Sequence, residues 1–211
     1  MYKLTSIWFA VALMTSLPQA ILQSAQSLPE GGTVTPRDFL HLGSRAAVDQ
    51  AFSRLTRSGV LLRLGRGVYA APVASPFGKR APAAEKVIRA LEETTGEAIV
   101  AHGAAEANRL GLTSQMPVRR VFLSSGPPRR LLFGKNPVQI EHIAPASFLL
   151  GRTEEAAAAR ALAWLGPAVA AQALRKLHRQ LAPQAWQALT RARRRLPAWM
   201  AEAIGQEMHV G

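Results

Sequence analysis

Eight polar residues between positions 44 and 66 carry the strongest chemical signal in the chain: Ser44, Arg45, Asp49, Gln50, Ser53, Arg57, Arg63 and Arg66. A guanidinium presents a planar fork of donors that matches phosphate oxygens and the guanine edge two at a time. Glutamine offers the matching donor and acceptor for adenine, and serine hydroxyls bond bases or phosphates. Nothing in the set assembles into a reaction. These residue types suit recognition of a polyanion.

The surrounding residues predict how those side chains are held. Ser44 is a helix N-cap and Ser58-Gly59 a stop, so a helix is expected to run to about Arg57. Ala47, Val48, Ala51, Phe52 and Leu55 recur at helical intervals and form its apolar face. Arg45, Asp49, Ser53 and Arg57 project away from that face, with Gln50 and Arg54 at its flank. Upstream, Thr35 caps a shorter helix, Pro36 to Leu42, with Asp38 in its first turn and Gly43 as its stop. Downstream, Val60–Leu64 and Val68–Ala70 are β-prone. Gly65-Arg66-Gly67 between them supplies a tight hairpin with Arg66 at the tip and Arg63 just before it. Two short helices, a glycine turn and a hairpin are, in that order, the plan of a winged helix-turn-helix. The second helix of that module enters the DNA major groove, and its wing meets phosphates or the minor groove.

Charge agrees with a polyanionic partner. The 211 residues carry a formal net charge of +13, and residues 33–80 alone carry +6. Residues 81–151 are close to balanced at +2, and residues 152–211 return to +5. A segment this basic is usually a nucleic-acid footprint, although a solubilising surface or a membrane-surface patch has the same composition.

Other chemistries are excluded or disfavoured. With 0 cysteines there is no disulfide, thiolate metal site or cysteine nucleophile. The histidines show no H-E-x-x-H spacing, and the chain has neither a P-loop nor a G-x-S-x-G elbow. Aspartate occurs only at Asp38 and Asp49, too few for the carboxylate set of a metal-dependent nuclease. Gly65-Arg66-Gly67-Val68-Tyr69-Ala70 matches a dinucleotide fingerprint in letters, but that fingerprint must open a helix, and here a strand follows. His102 reads as a residue at a helix start, Ser124-Ser125-Gly126 as a turn, and Glu92, Glu93 and Glu97 as solvated. No catalytic residue, metal or cofactor is expected.

The fold class expected is α+β, in five segments. Residues 1–16 are an apolar extension, readable as a secretory signal or as a mis-called start upstream of Met14. The second reading is favoured because a DNA-binding module follows directly, with Pro18 to Gln26 as its first helix. The first reading makes the chain an exported or membrane-tethered interaction protein. Residues 17–72 form the winged helix-turn-helix, with Thr33-Val34 adding a short strand, and the Pro-, Ala- and Ser-rich residues 73–82 form a linker. Residues 83–150 form a small central α+β unit: a helix over Pro82–Thr94, a strand over Ala98–Ala101, a helix over Gly103–Leu110, then three strands as a meander. Residues 151–211 are helical, at about 153–165, 168–181, 184–195 and 198–208, and the arginines at 191 and 193–195 read as a solvated face.

On residues 35–72 (TPRDFLHLGSRAAVDQAFSRLTRSGVLLRLGRGVYAAP) and 101–126 (AHGAAEANRLGLTSQMPVRRVFLSSG), the chain resembles the AbiEi-type antitoxin and transcriptional-regulator family. Within it the closer likeness is to a bacterial branch long left as a domain of unknown function. The resemblance covers about residues 17–205 and includes LPAWM at 196–200. It implies a cytoplasmic protein that binds double-stranded DNA at its own promoter and represses its operon. It further implies a genetic partnership, without a stable complex, with a nucleotidyltransferase-like toxin of a type IV system. The residues it implicates in DNA binding are the eight named at the outset.

Overall fold

The computed structural model describes residues 16–145 and 147–210, so the expectations for Met14 and the apolar segment before it lie outside the described residues. The fold is α+β with small sheets. The chain divides into two compact units, one running through Gly96 with Leu131–Asn136 added, the other Glu97–Arg130 and Pro137–Gly211.

In the first unit, α1 (Leu17–Ser27) starts at Ser16, whose backbone N–H donates to Gln19 Oε1 at 3.0 Å. Ile21 and Ala25 are its buried residues. The helix expected over Pro36–Leu42 is instead a 3₁₀ turn, Pro36–Phe39. Its backbone bonds close over three residues, Asp38 N–H to Thr35 O at 3.2 Å and Leu40 N–H to Arg37 O at 3.4 Å. A segment this short cannot repay α-helix nucleation, and the tighter turn still buries Phe39.

The next helix, α2 (Arg45–Arg57), is capped by Ser44, whose hydroxyl accepts from Ala47 N–H at 3.3 Å. Val48, Ala51, Phe52 and Leu55 face inward, as their period requires. Phe52 is the centre of this core: Phe39 meets it edge-on with ring centroids 5.8 Å apart, and Tyr69 lies 4.5 Å away on another side. Strands β1 (Leu62–Gly65) and β2 (Val68–Ala70) pair antiparallel, with Gly65 opposite Val68. The turn is therefore Arg66-Gly67, and Gly67 at φ +71° takes the left-handed conformation it needs. Val34 bridges to Tyr69 through two backbone bonds, 2.9 and 3.0 Å, an isolated bridge where a short strand over Thr33-Val34 was expected.

The expected linker at 73–82 is a second hairpin, β3 (Val73–Ser75) and β4 (Gly78–Arg80), paired antiparallel. Its turn is closed by Ser75, whose hydroxyl donates to Gly78 O at 2.6 Å. The composition that resembles a linker is that of a tight turn flanked by very short strands. Helix α3 (Ala84–Thr95) follows and buries Val87, Ile88 and Leu91. It belongs with this first unit, because Glu30 receives the Arg80 guanidinium, the Ala83 backbone N–H and the Lys86 ammonium.

The second unit contains β5 (Ile99–Ala101), α4 (Gly103–Arg109) and β6 (Arg120–Ser124). With β7 (Arg129–Phe133) and β8 (Asn136–His142) these strands form a four-stranded sheet in the order β5-β6-β8-β7. The meander expectation is corrected: β8 runs parallel to β6, with Ser124 opposite His142, and lies inside β7. Both strands alternate buried and exposed positions: β8 buries Val138 and Ile140, and β7 buries Leu131 and Phe133 while exposing Arg130 and Leu132.

Four helices complete this unit: α5 (Glu154–Leu165), α6 (Ala170–Gln180), α7 (Pro183–Ala192) and α8 (Ala198–Val210). Two 3₁₀ turns, Pro167–Val169 and Arg193–Arg195, take up ends that were expected to be α-helical. The alanines of α5 permit a close approach to α4: a Cβ on Gly103 would stand 2.2 Å from Arg160 O. Arg160 is buried beside it, donating to Glu106 Oε1 at 2.9 Å and to the carbonyls of Leu149 and Gly151 at 2.7 Å. Thus neither the 73–82 stretch nor position 150 separates compact units; the division falls at Gly96.

Candidate nucleic-acid interface

Helix α2 has only one face committed to the core, so its opposite face is free to line a surface. That face, the β1–β2 hairpin and the Thr35-Pro36-Arg37 turn surround an open groove of about 990 Å³. Arg37, Arg45, Arg57, Arg63 and Arg66 reach it, with Ser53, Thr56 and Tyr69 between them and Asp49 as its lone acid. Arg45 Nε donates to Asp49 Oδ2 at 2.9 Å, an i,i+4 pair with both side chains at least half exposed. Among the described residues the other four arginines of the groove have no carboxylate partner. Concentrated positive charge in a concavity raises the local concentration of anions, and here little of it is neutralised internally.

Of the eight residues singled out by sequence, Arg45, Asp49, Ser53, Arg57, Arg63 and Arg66 converge on this groove. Ser44 does not line it; its hydroxyl is used in capping α2. Gln50 is exposed on the helix but lies outside the groove lining. Sequence reasoning missed Arg37, Thr56 and Tyr69. Arg37 follows Pro36 at the start of the short upstream segment, where a helix N-terminus was already expected. Tyr69 alternates with buried Ala70 on β2, and that alternation was a usable signal. Nothing marked Thr56, whose hydroxyl is bonded back to Phe52 O at 2.8 Å.

The remaining polar features are accounted for by structure. His102 caps α4, its Nδ1 accepting from Ala104 N–H at 3.2 Å. Ser124, expected in a turn, is instead the last residue of β6; it is buried, donating to Glu97 Oε2 at 3.0 Å and accepting from Gly126 N–H at 2.9 Å. Glu97 corrects the expectation of a solvated carboxylate: its side chain is only 15% exposed and also binds the Arg129 guanidinium. Among the described residues no three His, Asp or Glu side chains cluster closely enough to hold a metal ion. None of the described helices is long and apolar enough to cross a membrane. In the second unit, Arg119, Arg120 and Arg130 with Pro137 and Gln139 surround a smaller concavity of about 300 Å³.

At Glu30 the hydrogen bond from Lys86, followed by that from the Ala83 backbone, lowers the carboxyl pKa from 4.5 to about 2. This site ties β4 and the start of α3 to the segment after α1, and it lies apart from the groove lining.

Fold and surface together define an α+β protein presenting an open, arginine-lined groove built on one helix and one hairpin. Residues 20–185 match the profile of DUF6088, a family of unknown function, and the chain belongs to that family. No curated protein matches the sequence.

Proposed function

We propose that this protein is a sequence-specific DNA-binding regulator whose first unit acts as a winged helix-turn-helix. The observation that carries the reading is the convergence of five arginines, against one acid, on the outer face of α2, the adjoining hairpin and the turn before α2. In this reading α2 enters the major groove. Arg45, at its N-terminal end, reaches base edges, with Asp49 holding its guanidinium in position, and Gln50, exposed beside the groove in the middle of the helix, adds a contact from its flank. Arg57, Arg63 and Arg66 meet phosphates, and Arg37 adds a further backbone contact from the preceding turn. Backbone contacts set position and salt dependence, whereas base contacts set preference.

The biological role we assign is that of an autorepressing, cytoplasmic antitoxin of a type IV system, acting on its own promoter. It requires no cofactor and performs no catalysis. Support for the antitoxin role is the resemblance carried by residues 35–72 and 101–126; support for DNA binding is the groove itself.

The test is a competition gel shift with the full chain on duplex from its own upstream region against scrambled duplex. Specific sites are typically bound about 10³-fold or more tighter than non-specific DNA at physiological salt. Equal affinity for both duplexes refutes sequence-specific regulation, and no binding to either refutes the reading altogether.

A further inference from the structure

The sheet of the second unit gathers arginines of its own. Residues alternate sides along a strand. Burying Leu131 and Phe133 of β7 and Val138 and Ile140 of β8 therefore leaves Arg130, Pro137 and Gln139 exposed. Arg119 lies just before β6, and Arg120 is the first residue of that strand. These five residues surround the concavity of about 300 Å³, and all of them belong to the second unit. Among the described residues no acid lines it. Glu141, further along β8, is engaged by Gln139 Nε2 at 3.1 Å and stays out of the lining. Arg119 and Arg130 have no carboxylate partner among the described residues.

The lining narrows the ligand. Small-molecule sites are mostly apolar and close over most of their ligand. Here Pro137 is the one apolar residue among those lining the site, and no aromatic ring stands there to hold a base. The anion must therefore be presented by a larger molecule. Strands β6 and β7 lie on either side of β8, so their backbones run about 9.5 Å apart. Cations on both sides of β8 meet a chain of repeated charges better than a single acid group. Guanidinium forks match phosphate oxygens two at a time. We infer that this concavity is a second nucleic-acid contact, taking the sugar-phosphate backbone of duplex DNA, with Arg119 and Arg130 each on a phosphate. The inference rests on the DNA-binding reading for the identity of the polyanion, and on residues the groove does not share for the site.

The test uses the full-length protein, as wild type and as the double variant Arg119→Ala/Arg130→Ala, with duplex from its own upstream region and a scrambled duplex. Arginine-specific labelling with phenylglyoxal, read by mass spectrometry on wild type, locates the contacts. Duplex is expected to protect Arg119 and Arg130 together with the arginines of the groove. Arg175, exposed on α6 and outside both linings, should stay reactive. A mononucleotide and poly-glutamate at matched charge should protect neither Arg119 nor Arg130. Fluorescence anisotropy then compares the salt slopes. At about 0.9 per phosphate, the double variant should lower the slope by about 1.8 on both duplexes. Raising salt from about 50 to about 200 mM should then cost it about 12-fold less affinity than it costs wild type. Preference for the promoter should be unchanged, because backbone contacts carry no sequence information. Both side chains are exposed, so the double variant should keep the wild-type melting temperature. Protection of the groove without Arg119 and Arg130, or an unchanged slope in the double variant, overturns the second contact and leaves the groove reading standing. Protection of Arg119 and Arg130 alone supports the second contact and overturns the groove. Equal protection by the mononucleotide or by poly-glutamate makes the concavity a small-anion or acidic-peptide site and overturns the inference. No protection anywhere overturns both.

Discussion

Replacing Arg66 by alanine removes a guanidinium from the β1–β2 tip without touching the core, since the side chain is exposed and Gly67 carries the left-handed turn conformation. Four arginines of the groove, Arg37, Arg57, Arg63 and Arg66, have no internal carboxylate, and each is free to neutralise one phosphate. At about 0.9 of slope per phosphate, four such contacts make log K fall against log salt with a slope of about −3.6. Raising salt from about 50 to about 200 mM should then weaken binding about 150-fold. Without Arg66 the groove's slope becomes about −2.7 and the same change costs about 40-fold. Contributions from Lys79, from Arg45 or from arginines of the second unit enter both measurements and cancel in the difference. The assay is fluorescence anisotropy of a labelled duplex titrated at four or more salt concentrations, on promoter and scrambled sequences alike. Arg66→Ala should weaken both sequences by the same factor and lower both slopes by about 0.9. An unchanged slope, or a loss confined to the promoter, refutes Arg66 as a phosphate contact.

Arg45→Ala should behave differently: a base contact is worth about 1–3 kcal/mol of discrimination, so preference among operator variants flattens. Asp49→Asn should raise affinity for scrambled duplex by removing the groove's acid, while narrowing the preference for promoter because Arg45 loses the carboxylate that positions it; an unchanged promoter preference, or weaker binding to scrambled duplex, contradicts this. Glu30 has its pKa lowered from 4.5 to about 2, so its stabilisation is complete above pH 4.5 and is lost as pH falls towards 2. Urea unfolding of wild type should therefore weaken more between those pH values than that of Glu30→Gln, and parallel pH profiles would contradict the assignment. Phe52→Ala empties the centre of the first unit's core and should cost about 3–5 kcal/mol in urea unfolding; a loss under about 1 kcal/mol would mean Phe39 and Tyr69 collapse into the space.

Much of the groove was legible because its makers are local. Ser44, the inward period of Val48, Ala51, Phe52 and Leu55, and the Arg66-Gly67 turn each act over fewer than about four residues, through caps, helical period and allowed φ. They determine α2 and the hairpin wherever these are placed. The face of α2 carrying Arg45, Asp49, Ser53 and Arg57 follows as the complement of its apolar face. Tertiary structure decided the rest. Arg37 reaches the groove because Phe39 must be buried against Phe52, and Tyr69 because Val34 pairs with it, two contacts between segments far apart in sequence. Residues 73–80 had the composition of a linker, and only cross-strand bonds distinguish a hairpin of such short strands from coil. The place of β8 between β6 and β7 is decided by pairing across the sheet, since β7 and β8 share the same alternation of buried and exposed residues and no single segment tells them apart. Glu97 became a largely enclosed partner of Ser124 and Arg129 for a related reason: its neighbours in sequence mark a helix exit, while its neighbours in space set its chemistry.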